Sequence, residues 1–440
     1  MSSKRTRLTI GAGVVAVATL VAGTTAFASG RGPKAFTDEG AGVRAALTPG
    51  SGAGAIAWNQ ELEAIEKTPG AQPATIHPTR SYALLGVAEY DAVVSITHLE
   101  DPYLFEVAAD RQARPDAAAD QAARDTLVSL FPSMAPQLDH LLAGQLAALP
   151  PGPGTEEGIR VGQLAATFIL AARADDGSAT PPAPFTPGPA TPGAYQLTPP
   201  NLPAPVFSNW GGITPFVLDA GAQFRPPPPP PLSGATWAQA INEAQILGQK
   251  TSSTRTSDET TAAQFWAPPI WNTWNEIADG QAAARHSDLE ETVRMYASLN
   301  LALGDASIAL YDGKYHYLFW RPITAIREGT PGNPAVGANP TWDAFATTAA
   351  DPSYPGAHST FSETAATVLS SLFGPAVDLT IRSDGLAGVT RHFTSFQGAA
   401  DEAGLSRIWA GQHTRIDHEA GQALGRSVAQ FVLAHAATPD

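Results

Sequence analysis

Between residues 176 and 233 proline and glycine recur so densely that neither a helix nor a central strand can run through. The stretch ends in six consecutive prolines, Pro226 to Pro231. Proline fixes φ and lacks an amide hydrogen, so a segment like this wraps or bridges in extended form. The fold must therefore be built from what lies on either side, and on both sides apolar residues recur at helical spacing. Before the connector, Tyr82, Leu85, Val87, Tyr90, Val93, Val94 and Ile96 mark a helix within 76–97, and further helices are predicted at 116–131, 135–148 and 155–174. After it the pattern returns at 234–250, 258–284, 288–320, 358–373, 397–410 and 414–436. Alternating apolar runs closed by Asn-Gly or Asp-Gly turns are nearly absent. The pattern predicts an all-α chain: an N-terminal helical bundle over 55–175, a connector over 176–233 and a C-terminal bundle over 234–436.

Composition narrows the function. The formal net charge of −15 argues against a nucleic-acid binder or a protein held on anionic lipid. There is no cysteine among the 440 residues, which removes disulfides, zinc–thiolate sites, iron–sulfur clusters and thiol nucleophiles together. Lys4, Arg5 and Arg7 precede an uncharged run from Leu8 to Thr25, and Ala26-Phe27-Ala28 follows with small residues at both cleavage-defining positions. That order predicts a secretory signal peptide over 1–28, then a flexible segment over 29–54 and a secreted protein without stable membrane association.

Three clusters carry the chemistry. Lysine is scarce, with five in all, and Lys314 stands seven residues before Arg321, which Pro322 follows. Seven residues are nearly two helical turns, so both cationic tips are expected on one helix face among Tyr315, Tyr317, Leu318, Phe319 and Trp320. Cations in apolar surroundings need an anion, although a pair snorkelling to the surface fits the same spacing. Pro352-Ser353-Tyr354-Pro355-Gly356-Ala357-His358-Ser359 precedes a helical pattern. It should set the amides of Gly356, Ala357 and His358 at a helix N-terminus, where an anion is favoured. His358 is then either a titratable group in that site or a cap. In Ser406 to Asp417, Asp417 follows His413 by four residues and can orient its ring, while Gly411 offers a break that brings Arg407 back toward His413. A purely structural His–Asp hydrogen bond has the same spacing.

Together and in this order, Lys-x6-Arg-Pro, Pro-x-x-His and Ser-Arg-x5-His-x3-Asp resemble the signature of the type 2 phosphatidic acid phosphatase and vanadium-dependent haloperoxidase superfamily. Length, the leader and the proline-rich middle resemble its haloperoxidase branch, over most of residues 55 to 436. The resemblance implies two four-helix bundles with the active site in the C-terminal one. It also implies that Lys314, Arg321 and Arg407, with the backbone at Gly356 and Ala357, hold the oxygens of vanadate or phosphate. His413 would be the metal ligand and His358 the acid–base group, with Asp417 behind His413. The activity implied is halide oxidation by hydrogen peroxide at vanadate, with an organic acceptor. The alternatives on the same pocket are a secreted acid phosphatase, which needs no cofactor and acts on a phosphate ester through a phosphohistidine, and an anion-binding protein with little or no catalysis. Self-association stays open.

Two positions depart from that signature. Gly356 and Ala357 replace the usual Ser-Gly, so a hydroxyl that normally reaches the oxyanion is lost, and restoring it with Gly356→Ser is expected to tighten binding. Asp351 stands where characterised haloperoxidases tend to carry an aromatic residue or histidine, and a carboxylate there opposes a halide by simple electrostatics. Methionine is rare as well (Met1, Met134 and Met295), which would let the chain tolerate its own oxidant.

Overall fold

The computed structural model describes residues 8–10, 50–182, 184–186 and 188–436; the Ala26-Phe27-Ala28 site and residues 29–49 lie outside them. The described chain is mainly helical. Its N-terminal part holds α1 (Ala53–Lys67), α2 (Thr79–Thr97), α3 (Pro115–Leu130), α4 (Ala135–Leu146) and α5 (Pro153–Ala172). After the connector come α6 (Ala235–Leu247), α7 (Ser257–Phe265), α8 (Ile270–Arg285), the 29-residue α9 (Leu289–Tyr317), α10 (Pro322–Glu328), α11 (Ala357–Phe373), α12 (Phe396–Trp409) and α13 (Arg415–His435).

Several elements differ from the sequence expectation, among them α10, for which no helix was expected. Helix α1 was signalled only by Trp58, Leu62 and Ile65, all fully buried. The single helix expected over 258–284 is two, because Pro268-Pro269 breaks it. The helix expected to reach residue 320 stops at Tyr317, where Leu318 adopts a left-handed φ of 45°. Short strands are also present: β1 (Leu8–Ile10) runs parallel to β2 (Phe105–Val107), and β3 (Leu379–Arg382) pairs antiparallel with β4 (Thr390–Phe393).

Small residues set how close the helices come. On α5, a Cβ added at Gly158 or Gly162 would lie 2.4 Å from the Arg114 carbonyl oxygen or 2.3 Å from that of Ala118, so α5 and α3 touch backbone to backbone. The same device joins α13 to α11. A Cβ at Gly421 would lie 2.5 Å from the Gly356 carbonyl oxygen, and one at Gly425 2.3 Å from that of Thr360. The two stretches flanking the connector do not keep separate interiors. One buried apolar cluster takes in Val87 and Val93 of α2, Ile169 of α5, Leu303 and Leu310 of α9, Leu369 of α11 and Val432 of α13.

The connector is extended, with 3-10 turns at Trp210–Gly212 and Gly221–Phe224, and it is fastened along α9. The fully buried Asp305 carboxylate accepts the amides of Phe216, Val217 and Leu218 at 2.6, 2.7 and 2.8 Å. Further along, Tyr195 N donates to Leu318 O at 2.7 Å, Trp320 N to Gly193 O at 3.0 Å, Val206 N to Ala350 O at 2.9 Å, and the Tyr354 hydroxyl to Pro227 O at 2.6 Å. The proline-rich segment is thus a strap across the two loops that carry the cationic and histidine clusters.

Candidate active site

Lys314 and Arg321 converge, though by a different route from the one expected. Lys314 is in the last turn of α9, and its carbonyl accepts the Leu318 amide at 2.9 Å. Arg321 is off that helix in extended conformation, as the N-cap of α10 with Pro322 at its first position. A reversal of direction through 318–320, pinned by the strap, replaces the shared helix face. Both side chains are buried, at 0% and 1% exposure.

Between them lies Asp351. Its Oδ2 is 3.0 Å from Lys314 Nζ, its Oδ1 pairs with an Arg321 Nη, and its backbone carbonyl accepts Arg321 Nε at 2.8 Å. Burial alone would raise the Asp351 carboxyl, but Lys314 and Arg321 outweigh it and hold it down at about 2. Burial also pulls the Lys314 ammonium down, to about 8, against the attraction of Asp351. The carboxylate expected beside a halide position is therefore tied into the cations themselves.

On the facing side, Gly411 (φ +77°) ends α12, and the amides of Gln412 and His413 turn back to the Arg407 carbonyl at 2.9 and 3.3 Å. The break at Gly411 folds the backbone of His413 back onto the Arg407 carbonyl. Thr414 then caps α13, with Asp417 as the third helical residue of a capping box. His413 is therefore outside the helix, and its contact with Asp417 comes from the cap rather than from a helical turn.

The partners of His413 fix its tautomer. An Arg321 Nη lies 3.1 Å from His413 Nε2 and can only donate, so Nε2 carries the lone pair and Nδ1 the hydrogen. Nδ1 faces Asp417 Oδ2 and Ser353 Oγ, each at a long 3.4 Å. That carboxylate oxygen is held more tightly by Thr414 N at 2.7 Å and Ser353 Oγ at 2.8 Å. Burial, with Arg321 second, lowers the His413 ring to about 4, so it is neutral. The Asp417 carboxyl, which burial would raise, is held below its usual range by His413, Thr414 and Ser353. Ser353 was not singled out from sequence, although it stands inside the quoted motif.

Arg407 and His358 complete the cluster. Arg407, 2% exposed, donates only to neutral oxygens: Ala263 O at 2.6 Å and Ser406 Oγ at 2.9 Å. No carboxylate among the described residues pairs with it, and burial lowers its guanidinium to about 9. His358 Nε2 lies 2.9 Å from Trp266 O, which can only accept, so Nε2 carries the hydrogen and Nδ1 is the basic nitrogen. Burial first, then the charges of Arg407, His413 and Arg321, push this ring well below its ordinary value. A buried cation with no anionic partner among the described residues, its charge felt by the neutral His358 ring, is a donor suited to an oxyanion.

The turn before α11 differs from expectation in one respect. Gly356 has a φ of −78°, which any residue adopts, and its amide is spent on the Asp417 carbonyl at 2.8 Å. A Cβ there would point at the Asp417 backbone, 3.0 Å from its oxygen. The amides of Ala357, His358 and Ser359 fall in the first turn and have no partner inside the helix, whose first bond is Thr360 N to Gly356 O.

An aromatic box adjoins the cluster. Tyr311 precedes Lys314 by three residues and Phe361 follows His358 by three, one helical turn in each case. With Trp271, Phe207 and Trp210 these rings surround the fully buried His77, which came from the N-terminal part and was not anticipated. Its isolation in the sequence gave no signal.

Residues 294–439 match the family model described as the VCPO second helical-bundle domain. Among solved structures, the chain is similar to the first bacterial vanadium-dependent iodoperoxidase, with a TM-score of 0.77 and 25% identity over 88% of this chain and 97% of that one. It is also similar to a holo-type bacterial vanadium-dependent chloroperoxidase, with a TM-score of 0.64 and 15% identity over 85% and 96% of the two chains. The apo-type chloroperoxidase gives 0.64 and 16% over 84% and 96%; at this identity the chloroperoxidase likeness is one of fold. No curated protein matches the chain.

Proposed function

We propose, for a chain that belongs to the vanadium-dependent haloperoxidase family, that it is a secreted enzyme oxidising halide with hydrogen peroxide at a vanadate bound to His413. The observation that carries this reading is Arg407: a buried guanidinium that pairs with no carboxylate among the described residues and whose charge acts on the neutral His358 ring. Such a charge is stable only when an anion enters beside it. Lys314, Arg321 and Arg407 would hold the oxygens of vanadate, with the Ala357 and His358 amides at the helix start. When bound, vanadate supplies a Lewis acid that activates peroxide without changing its own oxidation state.

The protein's part is positioning and proton handling. His413 presents the Nε2 lone pair, because Asp417 and Ser353 hold the hydrogen on Nδ1. His358 presents Nδ1 as a neutral base. Its Nδ1 would take up a proton from hydrogen peroxide and hold it beside the bound anion, so that His358 serves as the acid–base group. The Trp266 carbonyl keeps its tautomer fixed throughout. The test is the purified mature protein assayed for iodide and bromide oxidation by peroxide, with and without orthovanadate, and for phosphate-ester hydrolysis. Halide oxidation that requires vanadate is expected. Ester turnover without halide oxidation would replace this reading by a phosphatase using His413 as nucleophile. Export is tested by sequencing the secreted form, expected to begin at Ser29.

A further inference from the structure

Lys314 has three ammonium hydrogens and three acceptors: Asp351 Oδ2 at 3.0 Å, Ser353 O at 3.3 Å and Pro352 O. Arg321 is engaged almost as fully, by the Asp351 carboxylate and carbonyl, Gln412 O and His413 Nε2. Two of the three cations assigned to the oxyanion therefore have their donors in use, and one carboxylate takes a hydrogen from each. Asp351 Oδ1 sits on Arg321 and Oδ2 on Lys314, so the carboxylate fills the places of two oxyanion oxygens. Arg407 has no carboxylate partner among the described residues.

We propose that Asp351 is a resident anion of the cradle: an external oxyanion binds by displacing its carboxylate from Lys314 and Arg321, and Asp351 thereby sets the affinity. The proposal rests on the reading that this cradle takes an oxyanion. Displacement has somewhere to lead. The Tyr195 hydroxyl and His77 Nε2 are buried without a hydrogen-bond partner among the described residues, and both side chains feel the charge of Asp351. Asp351 also lies next to Ala350, whose carbonyl accepts Val206 N of the strap, so the backbone of this loop stays fixed while the side chain turns.

The experiment titrates inorganic phosphate into the full-length wild type, Asp351→Asn and Asp351→Ala by calorimetry, and records melting temperatures with and without phosphate. Phosphate should bind Asp351→Asn at least tenfold more tightly than wild type, about 1.4 kcal/mol. Both variants should melt lower than wild type in phosphate-free buffer, and saturating phosphate should raise their melting temperatures by more than it raises the wild type's. Equal or weaker binding by the variants overturns the proposal and leaves the oxyanion reading intact. Variants that stay unfolded in saturating phosphate overturn it as well, since an external anion should replace the carboxylate. If none of the three proteins binds phosphate or vanadate, the oxyanion reading fails with it.

Discussion

Asp417→Asn separates the role of His413 from the role of its support. One carboxylate oxygen of Asp417 accepts from Thr414 N at 2.7 Å, Ser353 Oγ at 2.8 Å, Thr414 Oγ1 at 3.1 Å and His413 Nδ1 at 3.4 Å. Asparagine keeps the shape and one acceptor oxygen but loses the charge. A hydrogen bond to a charged group contributes roughly 1.5–3 kcal/mol and a neutral one about 0.5–1.5, so three short bonds lose up to ~1 kcal/mol each. Relief of the desolvation of a buried carboxylate offsets part of that, leaving a net cost of about 1–2 kcal/mol. In a chain of this size the melting temperature should fall by about 1–3 °C. The chemical effect is larger. An amide at this position can donate to His413 Nδ1, moving the ring hydrogen to Nε2 and removing the lone pair that faces Arg321. Vanadate affinity and peroxide-dependent halide oxidation should drop by roughly 10- to 100-fold, each 1.4 kcal/mol being a factor of ten. Calorimetry with vanadate, the halide assay and a melting curve on the same preparation give all three numbers. If Asp417→Asn loses as much activity as His413→Ala while still folded, the orienting role assigned to Asp417 is wrong.

Other outcomes follow from the same geometry. His413→Ala should abolish turnover, whether halide oxidation or ester hydrolysis, and activity above a tenth of wild type would remove His413 from its assigned place. Phosphate and vanadate should compete for one site, so calorimetric evidence that both bind at once would rule out a shared cradle. Gly356→Ser and Gly356→Ala should behave alike and neither should tighten vanadate binding, because the added Cβ meets the Asp417 backbone at 3.0 Å; a gain confined to the serine variant would mean that the hydroxyl reaches the anion after all. Glu63 is buried and its carboxyl is raised to about 9, mainly by desolvation and next by Asp279. Its folded value lies above the unfolded one, so the stability it contributes is present below pH ~4.5 and is lost as pH rises toward 9. The melting temperature of Glu63→Gln relative to wild type should therefore climb steadily between pH 5 and 9, and a flat difference would show that Glu63 ionises normally.

The helices were legible because burial on one face leaves a period in the sequence, and the site residues were legible because their spacing is unusual. What was hidden depended on the third dimension. Lys314 and Arg321 suggested one helix face, yet the left-handed Leu318 and the strap contacts at Leu318 and Trp320 turn the chain between them. The His413–Asp417 spacing suggested a helical turn, whereas Thr414 starts the helix between them, a signal present in its capping box but not used. The break at Pro268-Pro269 was readable from the prolines alone. Asp351 could be flagged as a departure, but its pairing with both cations depends on loops brought together by residues more than 100 positions upstream. The rings around His77 come from four separate segments, and no local pattern encodes that.

The contact between α11 and α13 has a mechanical consequence. His358 rides on the first turn of one helix, and Asp417, which supports His413, on the first turn of the other. Where Gly421 and Gly425 face Gly356 and Thr360, main chain rests on main chain, and the Thr364 hydroxyl ties the two helices by donating to Gly425 O at 3.2 Å. Close-packed surfaces of this kind are either seated or apart. Separation of the two helix starts on heating or in denaturant should thus be abrupt, His358 and His413 disengaging in one event rather than drifting apart by degrees.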